Sequence, residues 1–239
     1  MAKKVKRKRL NIKRTLVVFL IIYILGYFCY SLFNHPIIHI EIKGNNLVSD
    51  AEIIRKSKLK DYPSMMKYTS NTIKKNIKSI DLVNDVKVKK WFNHTIKIEI
   101  EENKILFYYG NTEKIALSNG NIIKNEYNNI YGIPVFTNNL KSNLMTNFIK
   151  GFSKIEDNII SEINEIEYFP KYSEDNKKLI SEDRFKIIMN DGNTIIANTK
   201  TVEVINKYNT IYASLGDRKG TINLDSNKIS NLVFIPYEE

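Results

Sequence analysis

The chain opens on an uncharged, mostly apolar run from Leu16 to Phe33, and beyond it apolar residues recur with two distinct periods. Ile38, Ile40 and Ile42 alternate with His39, Glu41 and Lys43, which predicts a half-buried strand. Gly44-Asn45-Asn46 reads as a turn, and Ser49-Asp50-Ala51-Glu52 as a capping box that starts a helix, with Pro63 ending the segment. Ile73, Ile77 and Ile80 share one face of a second helix. Val86 and Val88 then alternate with lysines. Ile96, Ile98 and Ile100 alternate with charged residues after a turn at Asn93-His94, which predicts a hairpin. The order is strand, helix, helix, strand, strand, and two helices over one face of a three-stranded sheet would bury these isoleucines.

The same reading continues to the end of the chain. Ile105 to Tyr109, Lys114 to Leu117 and Ile122 to Lys124 read as short strands, with Ser118-Asn119-Gly120 as a turn. Leu140, Leu144, Phe148, Phe152 and Ile155 form the apolar stripe of a helix, and Ile163 to Phe169 is a strand. Asp191-Gly192 between Phe185–Met189 and Thr194–Asn198 is the strongest hairpin signal. Val202, Ile205, Tyr208, Tyr212 and Leu215 predict one last helix. Ile222 to Leu224 and Leu232 to Ile235 predict two closing strands. The polar stretch from Lys171 to Asp183 reads as a long unpaired loop. The fold class is therefore α+β.

Charge gives the apolar run its meaning. Lys3, Lys4, Lys6, Arg7, Lys8, Arg9, Lys13 and Arg14 precede it with no acid among them. Eighteen residues make about 27 Å of helix, close to the thickness of a bilayer core. The positive-inside rule keeps the stub in the cytoplasm and sends the rest across. A cleaved signal peptide shares this layout, but the exit Cys29-Tyr30-Ser31-Leu32-Phe33 is bulky where a peptidase needs small residues. The expected organisation is a basic stub at 1–15, a membrane helix at 16–33, one domain at 35–104 and a second at 105–239. Tyr23, Tyr27 and Tyr30 with Gly26 read as an interfacial aromatic belt or, alternatively, a helix-pairing stripe.

The formal charge of +11 falls to +3 once the eight stub cations are set aside. The basicity is thus a topology signal and an attraction to membrane lipid, and it gives no reason to expect nucleic acid. The single cysteine, Cys29, lies in the membrane run, so no disulfide or thiol site is available elsewhere. Of three histidines, His35, His39 and His94, only His39 shares a strand face with a carboxylate, Glu41, and a solvated face explains that pair. Glu101-Glu102 and Glu162/Glu165/Glu167 are carboxylates without a reason to converge. No penicillin-binding signature and no glycine-rich phosphate loop occurs. The sequence supplies no catalytic residues, no metal ligands, no cofactor motif and no small-molecule site.

The βααββ order directly after one membrane anchor resembles a POTRA domain. Ile38-His39-Ile40-Glu41-Ile42-Lys43-Gly44-Asn45 is similar to the opening of such domains, and Thr95 to Glu102 to their closing strand. Ile133-Pro134 and the zone around Gly120 also resemble elements of the bacterial division proteins FtsQ and DivIB, although that family commonly places proline in the turn that here reads Phe92-Asn93-His94. The resemblance implies a non-catalytic scaffold of the division machinery in the plasma membrane at the septum. Its partners would be FtsB/DivIC-like and FtsL-like single-span proteins, and its role would be regulation of septal peptidoglycan synthesis. The family's docking strands correspond to Thr221 to Tyr237, and within them Ile222, Leu224, Val233, Phe234 and Tyr237 are the expected contact residues. The alternatives are a membrane-anchored cell-wall enzyme or its regulator, and a POTRA-type chaperone for exported proteins.

Overall fold

A computed structural model describes residues 11–110, 112–127, 130–138, 140–175, 178–216, 218–225 and 233–238. The first ten residues of the basic stub and Leu232 lie outside them. The chain divides into two compact units, Met1–Glu101 and Glu102–Glu239.

The first unit begins with α1 (Ile12–Phe33), 22 residues that start four positions before the expected boundary. Its stretch Ile12–Ser31 has a mean hydropathy of 1.9 and is unburied, long and apolar enough to span a membrane. Lys13 and Arg14 join its first turn because both form helix well and their long stems can reach back toward headgroups. The sheet of this unit holds β1 (His39–Lys43), β2 (Val83–Lys90) and β3 (Thr95–Glu102) in the order β1-β3-β2, with β1 parallel to β3. Between β1 and β2 come α2 (Asp50–Ser57) and α3 (Ser70–Ile77). Ile53, Ile73, Ile77, Ile96, Ile98 and Ile100 are buried as the periodicity predicts.

Ile38 is the exception. It is exposed and Ile37 is buried in its place, because strand pairing starts only at His39 and the segment before it turns to bridge Pro36 with Ser64. Ser49 caps α2 by accepting the Glu52 N–H at 3.2 Å. Asn45 donates to the Val48 carbonyl and to Asp50 Oδ1, both at 2.8 Å, so the turn is built to deliver the chain to that cap. Gly44 sits at φ +85 with its α-carbon against the backbone of Ile100, and a β-carbon there would strike that carbonyl oxygen. The Gly-Asn pair after β1 is thereby a steric requirement of the β1–β3 pairing.

The second unit is built on a nine-stranded sheet. Its strands are β4 (Ile105–Tyr109), β5 (Lys114–Leu117), β6 (Ile122–Lys124), β7 (Val135–Phe136), β8 (Ile163–Tyr168), β11 (Phe185–Met189), β12 (Thr194–Ala197), β13 (Gly220–Asn223) and β14 (Val233–Pro236). A separate two-stranded ribbon, β9 (Lys171–Tyr172) with β10 (Leu179–Ser181), occupies the stretch expected to be an unpaired loop. Two- and three-residue strands with exposed side chains leave no apolar alternation to read. The sheet runs β14-β13-β12-β11-β8-β7-β4-β5-β6.

Crossovers carry α4 (Ser142–Phe152), α5 (Asp157–Ile160), a 3-10 helix (Val202–Lys207) and α6 (Tyr208–Leu215). Phe148 of α4 packs its ring 4.2 Å from Phe185 and within 6.2 Å of Phe107, Phe136 and Phe152, which locks helix onto sheet. The single helix expected over 202–215 is two. Val202, Ile205 and Tyr208 recur every three residues, the 3-10 repeat, and only from Tyr208 through Tyr212 to Leu215 does the spacing lengthen to that of an α-helix.

Three hairpins share one turn design. The loops Phe92-Asn93-His94, Ser118-Asn119-Gly120 and Asn190-Asp191-Gly192 each end on a residue at positive φ (61, 94 and 93). In each, the residue before the loop donates its N–H to the carbonyl of the one after it, and the last loop residue's N–H returns to the carbonyl of the residue before the loop. This is the three-residue hairpin with a left-handed closing position.

Candidate functional site

β14 offers a docking geometry at one end of the larger sheet. β14 pairs antiparallel with β13 and ends the nine-stranded sheet, and among the described residues no strand lies on its outer side. The Tyr237 N–H donates to the Lys219 carbonyl at 3.0 Å, which sets the hydrogen-bonding phase. Along an antiparallel pair this phase alternates, so Val233 and Ile235 turn their backbone groups toward β13. Phe234 then points both its N–H and its C=O outward, and Pro236 its C=O. Proline fits here because its missing N–H falls on the open side.

The five expected contact residues separate by environment. Ile222 and Leu224 belong to the core of the second unit, 0 % and 7 % exposed, so their side chains are not free to meet a partner. Alternation points them inward from β13, where they pack with the helices. Phe234 is half-buried against the same core, with the Arg218 guanidinium 5.6 Å above its ring. Val233 and Tyr237 are exposed, at 51 % and 45 %, and Ile235, which the sequence reading did not single out, is exposed at 55 %. Ile235 shares the outward face with Val233, a parity visible only once the strand's register was known.

Small residues hold this edge in place. Gly220 lies under the Phe234 ring, and a β-carbon there would come within 2.8 Å of ring atoms and run into the Ile235 carbonyl. Asn193, fully buried at the end of the β11–β12 turn, accepts the Gly220 N–H at 3.0 Å. Its amide donates to Asp191 Oδ2 and to the Tyr208 hydroxyl, both at 3.0 Å, and Tyr208 donates to the same carboxylate oxygen at 2.6 Å. Burial works to raise the Asp191 pKa, but the hydrogen bonds from Tyr208 and Asn193 outweigh it and hold the carboxyl below its ordinary range. The Tyr208 phenol is pushed up, first by burial and then by the Asp191 carboxylate it bonds. At the other end of β13, Arg184 Nε lies 3.1 Å from Asp225 in a mostly shielded ion pair. Tyr237 donates to Thr194 Oγ1 at 2.7 Å, reaching across to β12.

The other candidates fall into ordinary surface roles. Glu41 pairs with Lys43 at 2.7 Å, whose bond to it lowers the carboxyl pKa. His39 lies on the same edge strand. His35 and His94 stand edge to face, 5.4 Å between ring centroids. Glu165 and Glu167 sit on β8, with Glu167 3.6 Å from Lys186 of β11, and Glu162 just precedes that strand. Cys29 is exposed on α1.

Residues 35–103 match the family model described as POTRA domain, FtsQ-type. The chain is 25% identical over 244 residues to the cell division protein DivIB of Brevibacillus brevis, covering 98% of this chain and 88% of that one. It is 24% identical over 212 residues to DivIB of Staphylococcus pseudintermedius, covering 85% and 69%. With DivIB of Bacillus subtilis the identity is 27% over 191 residues, covering 78% and 70%. Among solved structures, the major extracytoplasmic domain of the trans isomer of DivIB from Geobacillus stearothermophilus aligns with a TM-score of 0.37. It has 21% identity and covers 48% of this chain and 95% of that one.

Proposed function

Because the chain belongs to the FtsQ/DivIB family of cell division proteins and carries an FtsQ-type POTRA domain, we propose that it is a non-catalytic scaffold of the division machinery. In this reading α1 crosses the plasma membrane once with the basic stub in the cytoplasm. Both folded units lie outside, and the protein gathers at the septum. There it joins FtsB/DivIC-like and FtsL-like single-span proteins and regulates septal peptidoglycan synthesis through them.

The observation that carries the proposal is the open, charge-free edge of β14. A partner segment would add as a strand, exchanging bonds with Phe234 and reaching the Pro236 carbonyl. Val233, Ile235 and Tyr237 would supply side-chain contact, while Phe234 holds the edge to its core. Ile222 and Leu224 support the strand from beneath.

The test is co-purification of the full chain from membranes with its DivIC-like partner, beside a full-length Ile235→Lys variant. Loss of the partner with the variant, at unchanged abundance and septal fluorescence of the fusion, supports strand addition at β14. Undiminished capture refutes the docking edge. A fusion that stays uniform around the membrane throughout constriction refutes the division role itself.

A further inference from the structure

We propose that the pole of the first unit next to the membrane span is itself a lipid-binding surface, seated in the headgroup layer on the side where α1 ends, with Trp91 and Phe92 as its anchors. The inference rests on α1 crossing the membrane and is independent of the β14 edge. At about 1.5 Å per residue the 22 residues of α1 measure about 33 Å, matching a core of about 30 Å, so its last residue, Phe33, reaches the interface. Asn34 still bonds back to Tyr30 at 2.9 Å. The next carbonyl, His35, already accepts the Met65 N–H at 3.0 Å. Two residues of chain, about 7 Å at full stretch, therefore separate the end of the span from the folded unit. Whatever tilt the span adopts, this pole stays near the membrane.

Three segments meet there and are bonded to one another. The Ile37 N–H donates to Pro63 at 3.0 Å and the Ile38 N–H to His94 at 2.9 Å. Lys90 Nζ donates to the Met65 and Tyr68 carbonyls, tying the β2–β3 hairpin to the loop before α3. Burial lowers the Lys90 pKa. On this scaffold Ile38, Tyr62, Met66, Trp91 and Phe92 are all exposed, Phe92 at 83 %. Single exposed apolar side chains are ordinary in soluble proteins; five from three adjoining segments at one end are not. Indole and phenyl rings partition to the interface between hydrocarbon and water, and Lys60, Lys67 and Lys89, exposed in the same segments, can meet lipid phosphates. Asp61 is the one carboxylate among these segments.

Trp91 is the only tryptophan in the chain, so its emission reports on this pole alone. The full chain is reconstituted in vesicles of phosphatidylcholine and phosphatidylglycerol whose acyl chains are brominated either near the headgroup or near the terminus. Seating in the interface gives emission shifted to shorter wavelength, strong quenching by the shallow bromines, weaker quenching by the deep ones, and protection from aqueous iodide. Phe92→Glu, at a turn position where the side chain is in solvent, keeps the circular dichroism spectrum and shifts Trp91 emission back toward that of water with loss of bromine quenching. Free quenching by iodide with no effect of bromolipid overturns the proposal. Protection from both quenchers also overturns it, because the occupant is then protein, a second copy or a partner. Resistance of α1 to alkaline extraction, measured on the same vesicles, separates failure of this surface from failure of the span.

Discussion

β2 and β14 each end a sheet, and their surfaces differ in kind. β2 carries Lys87 and Lys89 into solvent, and across the same sheet β1 presents the Glu41–Lys43 ion pair. At the far end of the larger sheet β6 finishes on Lys124, 3.9 Å from Glu113. β14 has no charge between Val233 and Tyr237 and exposes two branched aliphatic side chains on one face. A lysine on an edge strand discourages a second chain from pairing, because pairing would desolvate the ammonium group. Among the described residues, three edges of these two sheets are defended in this way and the fourth is open. An open edge is a liability for a protein that works alone and an advantage for one whose partner supplies the next strand.

Four changes would break or sharpen this contrast. Gly220→Ala places a methyl group against the Phe234 ring and the Ile235 carbonyl, so β14 must lift from β13. Partner capture should disappear and urea unfolding should show a loss of about 1–3 kcal/mol from overpacking. Ile235→Lys gives β14 the guard that β2 already has. Capture should be lost while stability stays within about 0.5 kcal/mol, since the side chain is in solvent. The converse, Lys87→Val with Lys89→Val, removes the guard from β2, and sedimentation of residues 35–239 should then reveal concentration-dependent self-association.

Tyr208→Phe acts on the strut beneath the edge and should cost about 0.5–1.5 kcal/mol in thermal or urea unfolding. Its pH dependence has a definite sign. The native Asp191 carboxyl titrates below its unfolded value, so its contribution is present above the ordinary carboxylate range and fades as pH falls through the depressed native pKa. Without the Tyr208 hydroxyl that depression shrinks, and the acid limb of the stability profile should become shallower.

Local patterns carried the element order well. Alternation at Ile96, Ile98 and Ile100, the cap at Ser49 and the closing positions at Gly120 and Gly192 each act within a few residues, and each is where the pattern places it. What could not be read was set by distant partners. Which strand ends the larger sheet depends on β7 entering between β4 and β8, and on β13 pairing parallel to β12 across a helical crossover. Without that order, the residues of β13 and β14 look alike, and Ile222 and Leu224 read as readily for surface as for core. Ile235 carries no distinguishing local signal for the same reason. The β9–β10 ribbon leaves no period in the sequence because its residues are largely exposed and bury no face that could impose one.

Pro236 limits how tightly any strand can hold. Among the described residues the open side of β14 presents one donor and two acceptors, so an arriving segment gains about three backbone hydrogen bonds. At about 0.5–1.5 kcal/mol each these total roughly 1.5–4.5 kcal/mol, about millimolar affinity at best from the main chain alone, the remainder falling to the side chains of Val233, Ile235 and Tyr237. The main-chain bonds by themselves would scarcely hold two molecules diffusing in three dimensions. Confined to one membrane, two anchored chains meet at a high effective concentration, and a weak main-chain contact becomes both sufficient and reversible. An edge of this length suits an assembly that must come apart as readily as it forms.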